Sequence, residues 1–93
     1  MVELKYFSAD WCGPCKQQKP IVNDLEEERD DLTVERHDVD EEQNLANKFN
    51  VRSVPTIVVL NDGDIVTVFS GFTQKNDLVE AIEGAEANGT APL

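Results

Sequence analysis

The sequence predicts an α/β domain: a four-stranded mixed sheet with helices on both faces. Strand-like and helical segments alternate in the order β-α-β-α-β-β-α, and the first crossover makes a right-handed parallel βαβ unit. Hydrophobic residues form 40% of the 93 residues, which suits one globular domain and not a disordered chain. We expect the domain to span residues 1–84. Residues 85–93 lack apolar periodicity and are predicted to form a frayed tail.

The first strand and the first helix flank a short loop that carries a cysteine. Residues 2–7 alternate in character and are rich in strand formers. From about Gly13 to Arg29 the apolar residues recur at helical spacing, and Pro14 suits the first turn of a helix. Pro20 falls inside this helix and predicts a kink, because proline removes one backbone donor and clashes with the preceding turn.

The rest of the chain predicts three further strands and two further helices. In chain order they are strand Thr33–Val39, helix Glu41–Phe49, strand Thr56–Leu60, strand Ile65–Ser70 and helix Thr73–Glu83. The run Thr56–Leu60 is continuously β-branched and aliphatic, which suits a strand buried on both faces. Residues 61–64 (Asn-Asp-Gly-Asp) are a strong hairpin signal, so the last two strands should be antiparallel. Thr73 is the candidate N-cap of the last helix.

The charge balance argues against several kinds of partner. The chain has 19 acidic and 8 basic residues, a formal net charge of −11, so we expect no nucleic acid partner and no binding to an anionic membrane surface. It also has no run of about 18 apolar residues that would predict a membrane-spanning helix. Composition leaves two interpretations of the acidity open. One is ordinary solubility; the other is adaptation to molar salt, where a Debye length of about 3 Å screens the self-repulsion.

The only two cysteines, Cys12 and Cys15, are spaced C-x-x-C. A small secreted domain usually carries four or more, and the N-terminal residues do not resemble a signal peptide, so we expect a cytoplasmic protein. A thiolate is the nucleophile in disulfide exchange, and the N-terminus of a helix stabilises it. Cys12 is thus placed to attack a disulfide, and Cys15, one turn further, to resolve the mixed disulfide. Gly13 has no side chain and so lets another backbone approach the cysteine loop, and Pro14 restrains the turn.

Residues 11–15, Trp-Cys-Gly-Pro-Cys, on a strand-to-helix turn resemble the active site of the thioredoxin family. Further similar segments are the family's cis-proline segment at Val54-Pro55-Thr56, the end of the second strand at Asp38-Val39-Asp40, the hairpin turn at Asp62-Gly63 and the substrate-groove glycine at Gly71. The resemblance covers roughly residues 4–84. It implies a thioredoxin fold. Because only about eleven residues precede Cys12, the fold should be trimmed to a core nearer to that of glutaredoxins.

The resemblance implies a protein thiol–disulfide oxidoreductase that needs no cofactor beyond its own cysteine pair. Its substrate proteins would bind a flat, mostly apolar surface formed by Trp11, Gly13, Pro14, Val54, Pro55, Gly71 and Phe72. The expected electron donor is a flavoprotein thioredoxin reductase, and a monomer is the expected state. Two alternatives remain open: a glutaredoxin-like hydrogen donor, for example for ribonucleotide reductase, and a non-enzymatic scaffold subunit. A zinc site is less consistent with the sequence, because His37 and a carboxylate would have to complete C-x-x-C at poor spacing.

One position departs from the family pattern. The family usually has a buried aspartate six residues before the first cysteine, and this chain has Tyr6 there. A phenol with a pKa near 10 is a poor base at neutral pH. The family's usual lysine partner is matched by Arg36. Asp38 should share a sheet face with Arg36, and we predict that Asp38 replaces the missing acid–base group for Cys15. The alternative is a solvated carboxylate at the end of a strand.

Overall fold

The computed structural model describes the backbone of residues 1–90 and the side chains of residues 1–87. Its elements are β1 (Val2–Ser8), α1 (Gly13–Glu28), β2 (Leu32–Asp38), α2 (Gln43–Lys48), β3 (Thr56–Asn61), β4 (Asp64–Ser70) and α3 (Lys75–Thr90). The strands form one sheet in the order β2-β1-β3-β4. β1 and β2 are parallel, and the other two pairings are antiparallel. The predicted α/β class with a four-stranded mixed sheet is confirmed.

The helices are divided between the two faces of the sheet. Because side chains alternate along a strand, Leu4 and Tyr6 of β1 pack in the cluster formed with α1 and α3. Phe7 points to the opposite face and packs with Ala46 of α2. The first cluster contains most of the buried apolar residues, so the α1 and α3 face holds the main core.

The two strands of the hairpin differ in burial although both are apolar. Ile57 and Val58 of β3 are fully buried, as the continuous aliphatic run predicts. Burying an aliphatic side chain of this size contributes about 1.5–3 kcal/mol. Ile65 and Val68 of β4 are 54% and 46% exposed, because β4 is the edge strand of the sheet.

The start of α3 differs from its prediction. The helix begins at Lys75, and the carbonyl of Gln74 accepts the N–H groups of Asp77 and Leu78 at 3.1 and 3.3 Å. Thr73 is therefore not the N-cap. Its hydroxyl instead donates to the carbonyl of Gly71 at 3.1 Å, within the loop that precedes the helix.

The end of α3 also differs, and the predicted tail is wrong over residues 85–90. The helix continues past Glu83 to Thr90. Ala85 is fully buried in the main core, where it extends the apolar stripe of Leu78 and Ile82 by one more turn. The last three residues of the predicted tail lie outside the described part of the chain.

The other boundaries lie within two residues of the predicted ones. Helix α1 continues through Pro20, and the kink at Pro20 stays a prediction. Within residues 1–90, no helix combines the length and the apolar character that crossing a membrane requires.

Candidate active site

Cys12 and Cys15 lie where the loop after β1 meets the start of α1, and a disulfide joins them. Cys12 is the N-cap of the helix: its Sγ accepts the backbone N–H of Cys15 at 3.1 Å. The N–H of Cys12 donates to the carbonyl of Ala9 at 3.1 Å, which closes the loop. Pro14 lies in the first turn, where its missing N–H leaves no helical bond unmade.

This position favours a negative charge on Cys12. Once the disulfide is reduced, the N–H of Cys15 and the partial positive charge of the α1 N-terminus both stabilise a thiolate. The two side chains are held together within one helical turn, with Cα atoms 5.3 Å apart. The geometry therefore suits reversible exchange between a dithiol and a disulfide.

The proline segment lies beside the disulfide, as the resemblance implies. The Val54–Pro55 peptide bond is cis, and Val54 packs against the cluster that contains both cysteines. The N–H of Gly71 donates to the carbonyl of Pro55 at 2.8 Å. Gly71 has φ +87°, a conformation that favours glycine. The loop before β3 and the loop after β4 are thus joined next to the cysteines.

An exposed aromatic surface borders this junction. Trp11 is 70% exposed and Phe72 is 44% exposed. The indole Nε1 of Trp11 donates to Oδ2 of Asp40 at 2.9 Å, which fixes the ring beside the disulfide. A cavity of about 150 Å³ opens next to it, lined by Trp11, Val39, Val51, Arg52, Ser53 and Val54.

A second cavity, of about 290 Å³, lies on the Cys15 side. Its lining is Tyr6, Ser8, Ala9, Asp10, Cys15, Lys16, Lys19 and Arg36. The buried Tyr6 hydroxyl donates to the carbonyl of Cys15 at 3.0 Å. Burial raises the pKa of Tyr6 above its ordinary value, so the phenol remains a protonated donor at neutral pH.

Arg36 and Asp38 have different partners in the structure. Arg36 lines the second cavity, and its guanidinium donates to Asn23 at 2.6 Å and to Glu26 at 3.0 Å. Asp38 is not part of that lining, and its Oδ1 accepts the backbone N–H of Asp40 at 2.8 Å. A short carboxylate side chain that bonds two residues ahead is a common turn device. Tyr6 and Arg36 are thus brought to Cys15, and the acid–base role of Asp38 stays a prediction.

Sequence reasoning missed Gln18, which is fully buried. Its Nε2 donates to the carbonyl of Thr73 at 3.1 Å, and its Oε1 accepts the N–H of Thr73 at 2.8 Å. This reciprocal pair ties α1 to the loop that carries Gly71. The available signal was spacing, because Gln18 lies between Cys15 and Val22 on the buried stripe of the helix.

The zinc interpretation finds no support in the described residues, which contain no group of three or more His, Cys, Asp and Glu side chains suited to a metal ion. His37 packs on Phe7 with ring centroids 5.2 Å apart. Its ring nitrogens lie 2.8 Å from a carboxylate oxygen of Glu42 and 3.2 Å from one of Glu35.

A family model described as Thioredoxin matches residues 2–84. The chain belongs to the thioredoxin family. The thioredoxin of Bacillus subtilis (strain 168) is 44% identical to it over 82 residues, which cover 87% of this chain and 79% of that relative. The thioredoxin of Staphylococcus saprophyticus is 42% identical over 83 residues, which cover 88% of this chain and 80% of the relative.

Solved structures confirm the thioredoxin fold. A mutant thioredoxin from Halobacterium salinarum matches with a TM-score of 0.85 at 43% identity, covering 90% of this chain and 74% of that chain. The thioredoxin of Fasciola hepatica matches with a TM-score of 0.84 at 34% identity, covering 90% and 80%. This thioredoxin-family chain is therefore a dithiol–disulfide oxidoreductase with Cys12 and Cys15 as its redox pair.

Proposed function

We propose that this chain reduces disulfides of other proteins, with Cys12 as the attacking thiol and Cys15 as the resolving thiol. The observation that carries this assignment is the N-cap geometry, in which the Sγ of Cys12 accepts the N–H of Cys15 at 3.1 Å. No comparable donor to the Sγ of Cys15 is seen among the described residues. The stabilised thiolate is therefore that of Cys12, and it attacks first.

The exchange balances in two steps. The Cys12 thiolate attacks one sulfur of the substrate disulfide, forms a mixed disulfide, and releases the first substrate thiolate, which takes a proton from water. Cys15 then loses its proton and attacks the Sγ of Cys12. That step forms the Cys12–Cys15 disulfide and releases the second substrate thiolate, which takes up the proton that Cys15 lost. The substrate gains two electrons and two protons, and the chain is oxidised. The cysteine pair carries these electrons, so no separate cofactor takes part.

We propose that the substrate chain lies extended across the surface named from the sequence: Trp11, Gly13, Pro14, Val54, Pro55, Gly71 and Phe72. The exposed rings of Trp11 and Phe72 offer apolar area at its edges. The main chain beside Pro55 offers backbone hydrogen bonds to an extended peptide. The bond from Gly71 to Pro55 holds these two segments at one spacing, which supports a preformed groove.

For proton transfer at Cys15, Asp38 is the group to test first. Asp38 lies two residues beyond Arg36 on the same face of β2. The Tyr6 hydroxyl, in contrast, already donates its proton in a hydrogen bond to the Cys15 carbonyl. Replacing Asp38 with Asn should slow the second step of exchange and leave the first unchanged. A rate–pH profile identical to that of the wild type would exclude Asp38 as the acid–base group.

We propose a flavoprotein thioredoxin reductase as the electron donor and a monomer as the working state. The cytoplasm is the proposed location, because a cysteine pair that must return to the dithiol requires a reducing compartment. We also propose that the net charge of −11 is an adaptation to high salt. The similarity to a thioredoxin from Halobacterium salinarum, a halophile, supports that proposal.

Reduction of insulin disulfides with dithiothreitol tests the function directly. Wild type and Cys12→Ser are compared at low salt and in molar KCl. We expect the wild type to be active and the variant inactive. Equal rates for both would refute Cys12 as the nucleophile. Wild-type activity that requires KCl would support salt adaptation, and full activity at low salt would contradict it.

A further inference from the structure

The basic residues near the disulfide differ from most others in the chain. The chain has only 8 basic residues against 19 acidic ones. Four of the basic residues, Lys5, Arg29, Arg36 and Lys75, each lie within ion-pair distance of a carboxylate. Among the described residues Lys48 and Arg52 form no ion pair, and neither do Lys16 and Lys19, which are both exposed and follow Cys15 in α1. Two such ammonium groups within one helical turn are unexpected where carboxylates outnumber cations more than two to one.

These two lysines share one location. Both line the cavity of about 290 Å³ that also contains Cys15. The other charged residues of its lining are Arg36, whose guanidinium lies 3.0 Å from a carboxylate oxygen of Glu26, and the exposed Asp10. The cavity beside the redox pair is therefore a locally positive site on a strongly acidic surface.

We propose that Lys16 and Lys19 form a docking site for acidic side chains that flank the disulfide of the substrate protein. This inference rests on the proposed function and names its substrate class. An aspartate or glutamate next to the substrate disulfide would approach these ammonium groups as its sulfur reaches Cys12.

The opposite side of the disulfide has no comparable excess of positive charge. There the Trp11 indole is bonded to the Asp40 carboxylate, with Arg52 lining the adjacent cavity. Acidic residues should therefore be favoured on the side of the substrate disulfide that faces Lys16 and Lys19. The long-range field of a chain with net charge −11 favours basic partners instead. At 0.15 M salt the Debye length is about 8 Å, so contacting charges outweigh distant ones.

Three disulfide peptides test whether acidic or basic substrates are preferred. The peptides are identical except for the residues that flank the disulfide, which are Glu, Gln or Lys. kcat/KM is measured for the wild type and K16Q/K19Q at 0.15 M and at 1 M KCl. The control is K48Q, which removes an exposed lysine of α2 that packs over Phe49 and lies outside the cavity. Equal rates on the Gln peptide show that the variants are folded and competent.

At 0.15 M KCl the wild type should reduce the Glu peptide about three- to ten-fold faster than the Gln peptide, as two exposed ion pairs allow. The preference should fall below about two-fold in K16Q/K19Q, persist in K48Q, and shrink at 1 M KCl. A wild-type preference for the Lys peptide, equal rates on all three, or an unchanged preference in K16Q/K19Q would overturn the inference alone. Failure to reduce any peptide would overturn the proposed function as well.

Discussion

The two cysteines of one disulfide lie in different surroundings. Cys12 is at the N-cap, where its sulfur accepts a backbone hydrogen bond and the exposed Trp11 lies next to it in the chain. Cys15 is one turn into α1, where the Tyr6 hydroxyl holds its carbonyl and a cavity with basic residues adjoins it. Both residues are at most 5% exposed. Burial therefore does not distinguish the two thiols, and the electrostatics of their surroundings must do so.

This difference shows how two cysteines within one helical turn can have different roles, one as the attacking thiol and one as the resolving thiol. The N-terminal position stabilises a thiolate without any acidic or basic side chain. The position three residues later needs a path for its proton and a fixed backbone, because it reacts only after the mixed disulfide has formed. Substitutions on the Cys12 side should affect the first step, and those on the Cys15 side should affect the second.

The largest expected effect comes from removing each sulfur in turn. Cys12→Ser and Cys15→Ser should both lose turnover, by about 10³-fold or more, because the two thiols act as a unit. Only Cys15→Ser should form a stable mixed disulfide with a substrate peptide, at a rate near that of the wild-type first step. Mass spectrometry of the trapped adduct measures this asymmetry. An adduct that forms equally fast on Cys15 in the Cys12→Ser variant would show that the two thiols do not have different roles.

The next effect concerns the link between the Cys15 side and the substrate loop. In Gln18→Leu the buried N–H and C=O of Thr73 lose their partners. Leaving buried polar groups unsatisfied costs about 1–3 kcal/mol of folding free energy. Gln17→Leu, at the exposed neighbouring position, is the matched control and should change stability by less than about 0.5 kcal/mol.

Denaturant unfolding of the oxidised proteins measures both values. If the two leucine variants were equally stable, the bonds between Gln18 and Thr73 would not hold α1 to the loop after β4. A second readout is KM for a protein substrate, which should rise in Gln18→Leu alone, because that loop carries Gly71.

Much of the Cys12 side could be predicted from the sequence, because its signals are local. A strand, a short loop and a proline in the first helical turn fix the N-cap position of Cys12 from neighbouring residues. The resemblance added the Pro55 segment, which lies about forty residues further along the chain. Spacing alone does not place that segment beside the cysteines.

The Cys15 side was less predictable because its contacts link distant parts of the chain. In the sequence, Gln18 is indistinguishable from the other polar residues of the helix. Its role depends on Thr73, which lies 55 positions away in the chain. Asp38 shares a face with Arg36, as alternation predicts, yet its carboxylate bonds forward to Asp40. The end of α3 could not be predicted for another reason. The residues after Glu83 are mostly small and show no helical periodicity of large apolar side chains, although Ala85 is fully buried.

The smallest effect concerns the Tyr6 hydroxyl. Tyr6→Phe removes one buried hydrogen bond to Cys15 and keeps the ring, so stability should fall by about 0.5–1.5 kcal/mol. The second step of exchange should slow a few-fold, and the first step should not change. Stopped-flow measurement of mixed-disulfide formation and decay separates the two rates. A variant that slows both steps equally would show that Tyr6 serves the whole loop and not Cys15.

The pH dependence sharpens this last prediction. Burial raises the pKa of Tyr6 in the folded chain, so the unfolded chain ionises first as pH rises through about 10. The contribution of the protonated Tyr6 to the free energy of unfolding is fully present below a pH of about 10. It is lost as the pH rises to the pKa of Tyr6 in the folded chain. Tyr6→Phe should lack that alkaline loss. Tyr6 is the only tyrosine of the chain, so phenolate absorbance follows its titration directly. A midpoint at the ordinary value in the folded protein would contradict a buried Tyr6 hydroxyl bonded to Cys15.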